Sequence, residues 1–269
     1  MKKTLILIAT SLSLLLFGHL SYAQRSNVIN AGLGTSTYYG EMTDRFVSTY
    51  FKPAGQVSFQ RYLSPSTSLR LGAAMGQIEA TDALSTDFGR KARNLHFKSN
   101  IYELSAVVVV DMLRDLDFAT ANLSPHLTPY GFMGFGMFYH NPKARYQGVW
   151  YDLQPLGTEG QLLPGGKGAY SRFQISFPLG FGISYRMTEF TGVSIEVGYR
   201  ITFTDYLDDV STVYPSQPQM AEIMGNVAAS LSMNTDIYDF EEGVIRGNPA
   251  SNDGYMIVNF SFNYYLDKQ

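Results

Sequence analysis

The stretch FQISFPLGFGISY, Phe173 to Tyr185, sets the reading of the whole chain. Phe173, Ile175, Phe177, Leu179, Phe181, Ile183 and Tyr185 alternate with Gln174, Ser176, Pro178, Gly180, Gly182 and Ser184. A period of two, with bulky apolar residues at one phase and small or polar ones at the other, describes a β-strand with one apolar face. The stretch is also long. Few strands of soluble proteins run this far, whereas a tilted strand needs about ten residues to cross a bilayer.

Two further segments repeat the pattern. Val193, Ile195, Val197, Tyr199, Ile201 and Phe203 oppose Ser194, Glu196, Gly198, Arg200, Thr202 and Thr204. Met256, Val258, Phe260, Phe262, Tyr264 and Leu266 form the apolar phase of the last segment. Weaker copies lie upstream, around Ile29–Ser36, Gly55–Gln60, Leu69–Gly76, Ile101–Val110 and the aromatic, glycine-rich Tyr130–Tyr139, which brings the count to eight. A soluble sandwich would alternate too, but strand length, even count and connection lengths favour a membrane barrel. Connections are short at Ser64-Pro65 and at Met187 to Gly192, and long at Glu41 to Pro53, Gln77 to His96, Asn141 to Ala169 and Asp205 to Asp253. A sheet in lipid must close on itself, because every backbone polar group needs a partner within the protein. The expected architecture is therefore all-β, an eight-stranded antiparallel transmembrane β-barrel with long external loops. Tyr39, Tyr102, Tyr130, Tyr139, Tyr185, Tyr199 and Tyr206, near strand ends, are expected in interfacial girdles.

The bulk properties agree. Lys2 and Lys3 precede an apolar run from Leu5 to Leu20, and Ser21-Tyr22-Ala23 gives a small-x-small cleavage site, so residues 1–23 read as a signal peptide and 24–269 as the barrel. The run is short for an uncleaved membrane anchor. The chain holds 19 Tyr and 18 Phe, only 16% charged residues and no Cys, so disulfides and thiolate metal sites are excluded. A net charge of −3 argues against a nucleic-acid partner. The expected location is the cell outer membrane, with its lipids as the surroundings.

A barrel of eight strands has an interior that side chains fill. Arg70, Glu103, Glu196 and Arg200 fall on the inward phase and are expected to pair there, since buried charges need partners. That reading makes Glu103 and Glu196 a plug and not a catalytic pair. Motifs that carry chemistry are few. His96, His126 and His140 show no metal spacing, there is no nucleophile elbow or phosphate loop, and no cofactor is expected. Gly131, Gly134 and Gly136 lie in a strand, where close packing inside the barrel explains them. His140 and Ser171 sit at external ends of neighbouring strands and could approach each other. Asp205, Asp208 and Asp209 fall just beyond Phe203, the last outward residue of the seventh strand. They read as a solvated rim, as a divalent-cation site or as organisers of the external loops, and their spacing does not match a calcium loop.

Several stretches carry a family resemblance. Tyr199-Arg-Ile-Thr-Phe-Thr-Asp-Tyr-Leu-Asp-Asp-Val-Ser-Thr212 and Trp150-Tyr-Asp-Leu-Gln-Pro-Leu-Gly-Thr-Glu-Gly-Gln161 are the most specific. With Tyr102-Glu-Leu-Ser105, Pro129-Tyr-Gly-Phe-Met-Gly-Phe-Gly136, and Arg246-Gly-Asn-Pro249 with Asn252-Asp253, they resemble the PorG-type outer-membrane barrels of the Bacteroidetes type IX (Por) secretion system. The resemblance covers nearly the whole chain after the signal. It implies a non-enzymatic barrel that anchors or contacts periplasmic components of that machinery, a lipoprotein ring among them. The alternative is another small outer-membrane barrel, either structural and adhesive or acting on lipids. Both long motifs fall on the external side, so Asp205, Asp208, Asp209, Trp150, Asp152 and Glu159 are expected to organise loops over the barrel mouth, with Arg246 bonding to the aspartates. A partner from below would meet Arg114 to Pro129. The chain departs from the family pattern in ending Tyr264-Tyr-Leu-Asp-Lys-Gln269 and not on a terminal aromatic.

Overall fold

The structure, a computed structural model, describes residues 27–43, 50–112, 127–234 and 240–266. The signal boundary and most of the Arg114 to Pro129 connection lie outside these residues. The strands run β1 Asn27–Tyr39, β2 Lys52–Tyr62, β3 Thr67–Thr81, β4 His96–Asp111, β5 Leu127–Tyr146, β6 Val149–Asp152, β7 Phe173–Arg186, β8 Thr191–Thr202 and β9 Gly254–Tyr265. They join in the order β4-β3-β2-β1-β9-β8-β7-β5, and β4 pairs with β5 to close the ring. All pairings are antiparallel, and eight strands form the barrel. β6 stands outside the ring.

The alternating phases sort as the closed sheet requires, but inside out relative to a soluble protein. Leu33, Phe135 and Leu104 are 79%, 70% and 68% exposed on the outer wall, while Ser68, Ser176 and Asn259 are buried inside. A sandwich would bury those apolar side chains, whereas a barrel in lipid presents them. On β4 the outward residues stay apolar through Tyr102, Leu104, Ala106, Val108, Val110 and Met112. That run covers about 33 Å along the strand, or about 25 Å of height at a tilt of about 40°, the height of an outer-membrane apolar band. The protein is an outer-membrane β-barrel.

Turn lengths orient it. The connections 63–66 and 187–190 are tight, with the Leu63 N–H donating to the Thr67 carbonyl and the Met187 N–H to the Thr191 carbonyl, each at 2.9 Å. The long connections leave the opposite end, the external side in such barrels. Two expectations about the strand ends need correction. Strand β5 does not stop at Tyr139 but runs on to Tyr146, turns at Gln147-Gly148 and returns as β6. Both turn residues have positive φ, 47° and 86°, which suits the right-handed twist of a two-residue hairpin. Of the seven girdle tyrosines, Tyr130 is buried inside the barrel and Tyr206 belongs to the loops.

The lumen is filled in layers. Val107, Val109, Tyr130 and Phe132 form the layer nearest the short turns. Inward-facing glycines of β7 and β8 make room for these rings: a Cβ at Gly182 would lie 2.5 Å from the Tyr130 ring, and one at Gly180 2.6 Å from Phe132. Gly134 and Gly136 share the inward phase, whereas Gly131 faces outward, contrary to expectation. Alongside lie Arg70, Glu103, Glu196 and Arg200, all buried. Glu196 accepts from Arg70 Nη1 at 2.6 Å and from the Tyr130 hydroxyl at 3.1 Å. Glu103 accepts from Arg200 Nε at 3.3 Å and from the Tyr255 hydroxyl at 2.6 Å. Each carboxylate thus holds one arginine and one tyrosine, which satisfies the charge.

Candidate functional site

Above the ion pairs the external connections fold back into the barrel mouth. Leu207 and Val210 follow β8, Leu153 follows β6, and Leu231 belongs to a short helix, Asn226–Ser232. These residues pack with Met42 and Leu95 against Tyr38, Phe97, Phe138 and Tyr255 of the barrel wall. Burying Leu207 and Val210 carries the intervening turn inward, aspartates included. Asp205, Asp208 and Asp209 are only 7%, 1% and 0% exposed, so they do not form a solvated rim.

Asp208 and Asp253 meet at one phenol. The Tyr38 Oη lies 2.6 Å from Asp208 Oδ2 and 2.7 Å from Asp253 Oδ1. A tyrosine has one proton to donate. The second short contact is satisfied when one carboxyl is protonated and donates to the phenol oxygen. The remaining oxygens accept backbone N–H groups, Val210 to Asp208 Oδ1 at 2.9 Å and Leu207 to Asp253 Oδ2 at 3.0 Å. Burial raises both carboxyls above the usual range, and the Asp208 charge adds to the effect at Asp253. Asp205 is pushed up to about 8 by burial, offset in part by the Ser211 hydroxyl and reinforced by Glu41 and Asp208.

Asp209 ties two motifs together. It adopts φ 68°, a left-handed conformation that aspartate tolerates better than most residues. Its carboxylate accepts from the Thr158 hydroxyl and from Tyr170 Oη, the latter at 2.8 Å. Burial raises it to about 7 despite the nearby Arg246 guanidinium. The expected bond between Arg246 and an aspartate side chain is absent. Arg246 Nη1 instead donates to Glu159 Oε1 at 2.9 Å and to the main-chain carbonyl of Asp209 at 2.6 Å. Glu159 is the better partner because it also accepts the Ser211 N–H at 2.8 Å and the Thr212 hydroxyl at 2.7 Å, which leaves Asp209 to its own hydroxyl donors. Arg93 extends the network. It grips Asp82 with Nε at 2.7 Å and Nη2 at 2.8 Å, and donates to the Arg246 carbonyl.

Trp150 and Asp152 stand apart from this cap. Both lie on β6 at the outer face, Trp150 against Lys98 and Asp152 2.9 Å from Lys143 Nζ. His140 and Ser171 do not form a dyad: His140 is fully buried, and the Ser171 hydroxyl donates to the Phe173 carbonyl at 2.9 Å. Among the described residues no group of three or more His, Asp or Glu is placed to hold a metal ion. These contacts lock the loops to one another and to the barrel wall. Tyr38 and Tyr255, both central, escaped the sequence reading, although strand parity marks them. Tyr38 continues the inward phase of Asn30 and Ser36, and Tyr255 that of Asn259 and Ser261.

Similar solved structures include a major outer membrane protein of Thermus thermophilus, 11% identical with a TM-score of 0.44, covering 91% of this chain and 100% of that one. Ail of Yersinia pestis is 10% identical with a TM-score of 0.41 over 91% and 100% of the two chains. Neisserial surface protein A is 8% identical with a TM-score of 0.41 over 90% and 99%. No curated protein matches the sequence. Residues 6–266 match the family described as "Domain of unknown function (DUF6089)", and the chain belongs to that family.

Proposed function

We propose that this protein is a closed, non-enzymatic outer-membrane barrel that supports type IX protein secretion by anchoring or contacting the machinery's periplasmic components, a lipoprotein ring among them. The observation that carries the reading is the filled lumen: an aromatic layer, two ion pairs and a packed cap occupy it in turn. A barrel filled in this way acts through its surfaces. The secretion role is supported by the likeness of Tyr199 to Thr212 and Trp150 to Gln161 to the PorG-type pattern, and residues of both motifs meet in one buried network. A pull-down of the full-length protein from detergent-solubilised outer membranes tests it. Recovery of a periplasmic lipoprotein in defined proportion is expected. Recovery of the barrel alone, or turnover of phospholipid or lipid A by the pure protein, would replace this reading with that of a free-standing structural barrel or a lipid-acting enzyme.

A further inference from the structure

The outer face of β4, β5 and β6 carries charge where it is not needed for the fold. Lys98 and Lys143 stand directly opposite each other across β4 and β5, a like-charge pairing that destabilises a sheet. Arg145, two residues on, pairs with Trp150. Carboxylates are too few to neutralise them. Asp152 serves Lys143 at 2.9 Å and Arg172 at 3.8 Å, and Glu79, in register with Lys98, is bonded to Lys52. Among the described residues Lys98 and Arg145 have no ion pair. The Lys98 ammonium instead sits 3.6 Å from the centroid of the Trp150 ring, with the His96 ring at that ring's edge, 6.2 Å away.

Height decides what this patch faces. The apolar band ends at Tyr102 and Tyr139, which are themselves in register. Next above come Asn100 opposite Asn141, and then Lys98 opposite Lys143. Four residues of strand at the usual tilt give about 10 Å of height, which sets the lysines at the level of the outer-leaflet headgroups. Below, an apolar groove on the outer wall, lined by residues from β9 and β1 round to β5 and β7, reaches up to Tyr102 and Tyr139 and includes Leu104 and Met137. Lysines suit phosphate, an indole face suits the apolar side of a sugar or a cation, amides suit hydroxyls, and the groove suits acyl chains.

We propose that this face binds a phosphorylated glycolipid of the outer leaflet, its phosphate on Lys98, Lys143 and Arg145, its sugar beside Trp150 and its chains along the groove. The proposal rests on the long loops being external and not on the secretion role.

Trp150 is the only tryptophan of the chain, so selectively excited tryptophan emission reports on this site alone. The full-length protein in phosphatidylcholine nanodiscs, with increasing fractions of diphosphoryl lipid A, should show a saturable change in emission. Dephosphorylated lipid A should give none. Lys98→Gln with Lys143→Gln should weaken the response roughly tenfold or more, Lys98→Arg with Lys143→Arg should keep it, and the exposed Lys167→Gln should not alter it. Heat-modified gel mobility checks that each variant is folded. The pull-down of periplasmic partners should be unchanged by the glutamine pair, which separates failure of this idea from failure of the secretion reading. A flat titration of the parent, or equal binding by the folded glutamine pair, would overturn the proposal. The same emission change with inorganic phosphate alone would replace the lipid with free phosphate and overturn it as well.

Discussion

At the scale of single residues, the Tyr38 phenol between Asp208 and Asp253 makes the cap sensitive to pH. Burial raises these carboxyls, and Asp205 and Asp209 beside them, above the ordinary carboxylate range, with Asp209 near 7 and Asp205 near 8. A carboxyl raised in the folded state contributes fully below its ordinary value, and that contribution is lost as pH rises through the raised one. Each such group weakens the cap by about 1.4 kcal/mol per pH unit inside that window. Limited proteolysis of the 147–172 connection should therefore run faster at pH 8 than at pH 5. Asp208→Asn should reduce the difference, because a carboxamide can donate to Tyr38 without an extra proton while Asp205 and Asp209 still titrate; a parent whose cleavage ignores pH contradicts the shared proton. Glu159 tests the other half of the cap. Glu159→Ala strands the Arg246 guanidinium, whose side chain is 2% exposed, and should cost about 3–5 kcal/mol of cap stability. The expected readout is rapid cleavage at 147–172 and 240–253 with the barrel fragment still heat-modifiable, whereas parent-like cleavage would mean that water reaches Arg246.

At the scale of elements, the wall of β7 and β8 is smooth so that β5 can project its rings inward. Gly182→Leu should drive Tyr130 off Glu196 and lower the temperature at which the heat-modified band appears, and an unchanged transition would show that the ring can move aside at no cost. Strand parity made most of this architecture legible. One phase of two gave the lipid-facing set and the inward set together, and Arg70, Glu103, Glu196 and Arg200 followed from parity alone. The β5–β6 extension was not legible, because above the membrane both faces meet water or loops and the alternation of Asn141, Lys143 and Arg145 is no longer apolar. Cap chemistry was hidden for a different reason. Arg246 is separated from Glu159 by 87 residues, and only packing around Leu207 and Val210 decides which of several acids it meets.

At the scale of the whole molecule, the filled interior predicts an electrically silent barrel. Reconstituted in planar bilayers, the protein should give no stable single-channel steps, and reproducible large steps would mean that the layers around Arg70 and Glu103 part in the membrane. Closure has a second consequence. The seam that completes the ring joins the first strand to the last, from Val28 with Tyr265 to Tyr39 with Gly254. Until β9 is delivered, β1 and β8 each keep an edge of unpaired amides and carbonyls that hydrocarbon cannot accept. A product truncated before Gly254 should therefore fail to insert and be cleared by periplasmic proteases, whereas a stable, heat-modifiable truncated barrel would show that the seam can close without β9.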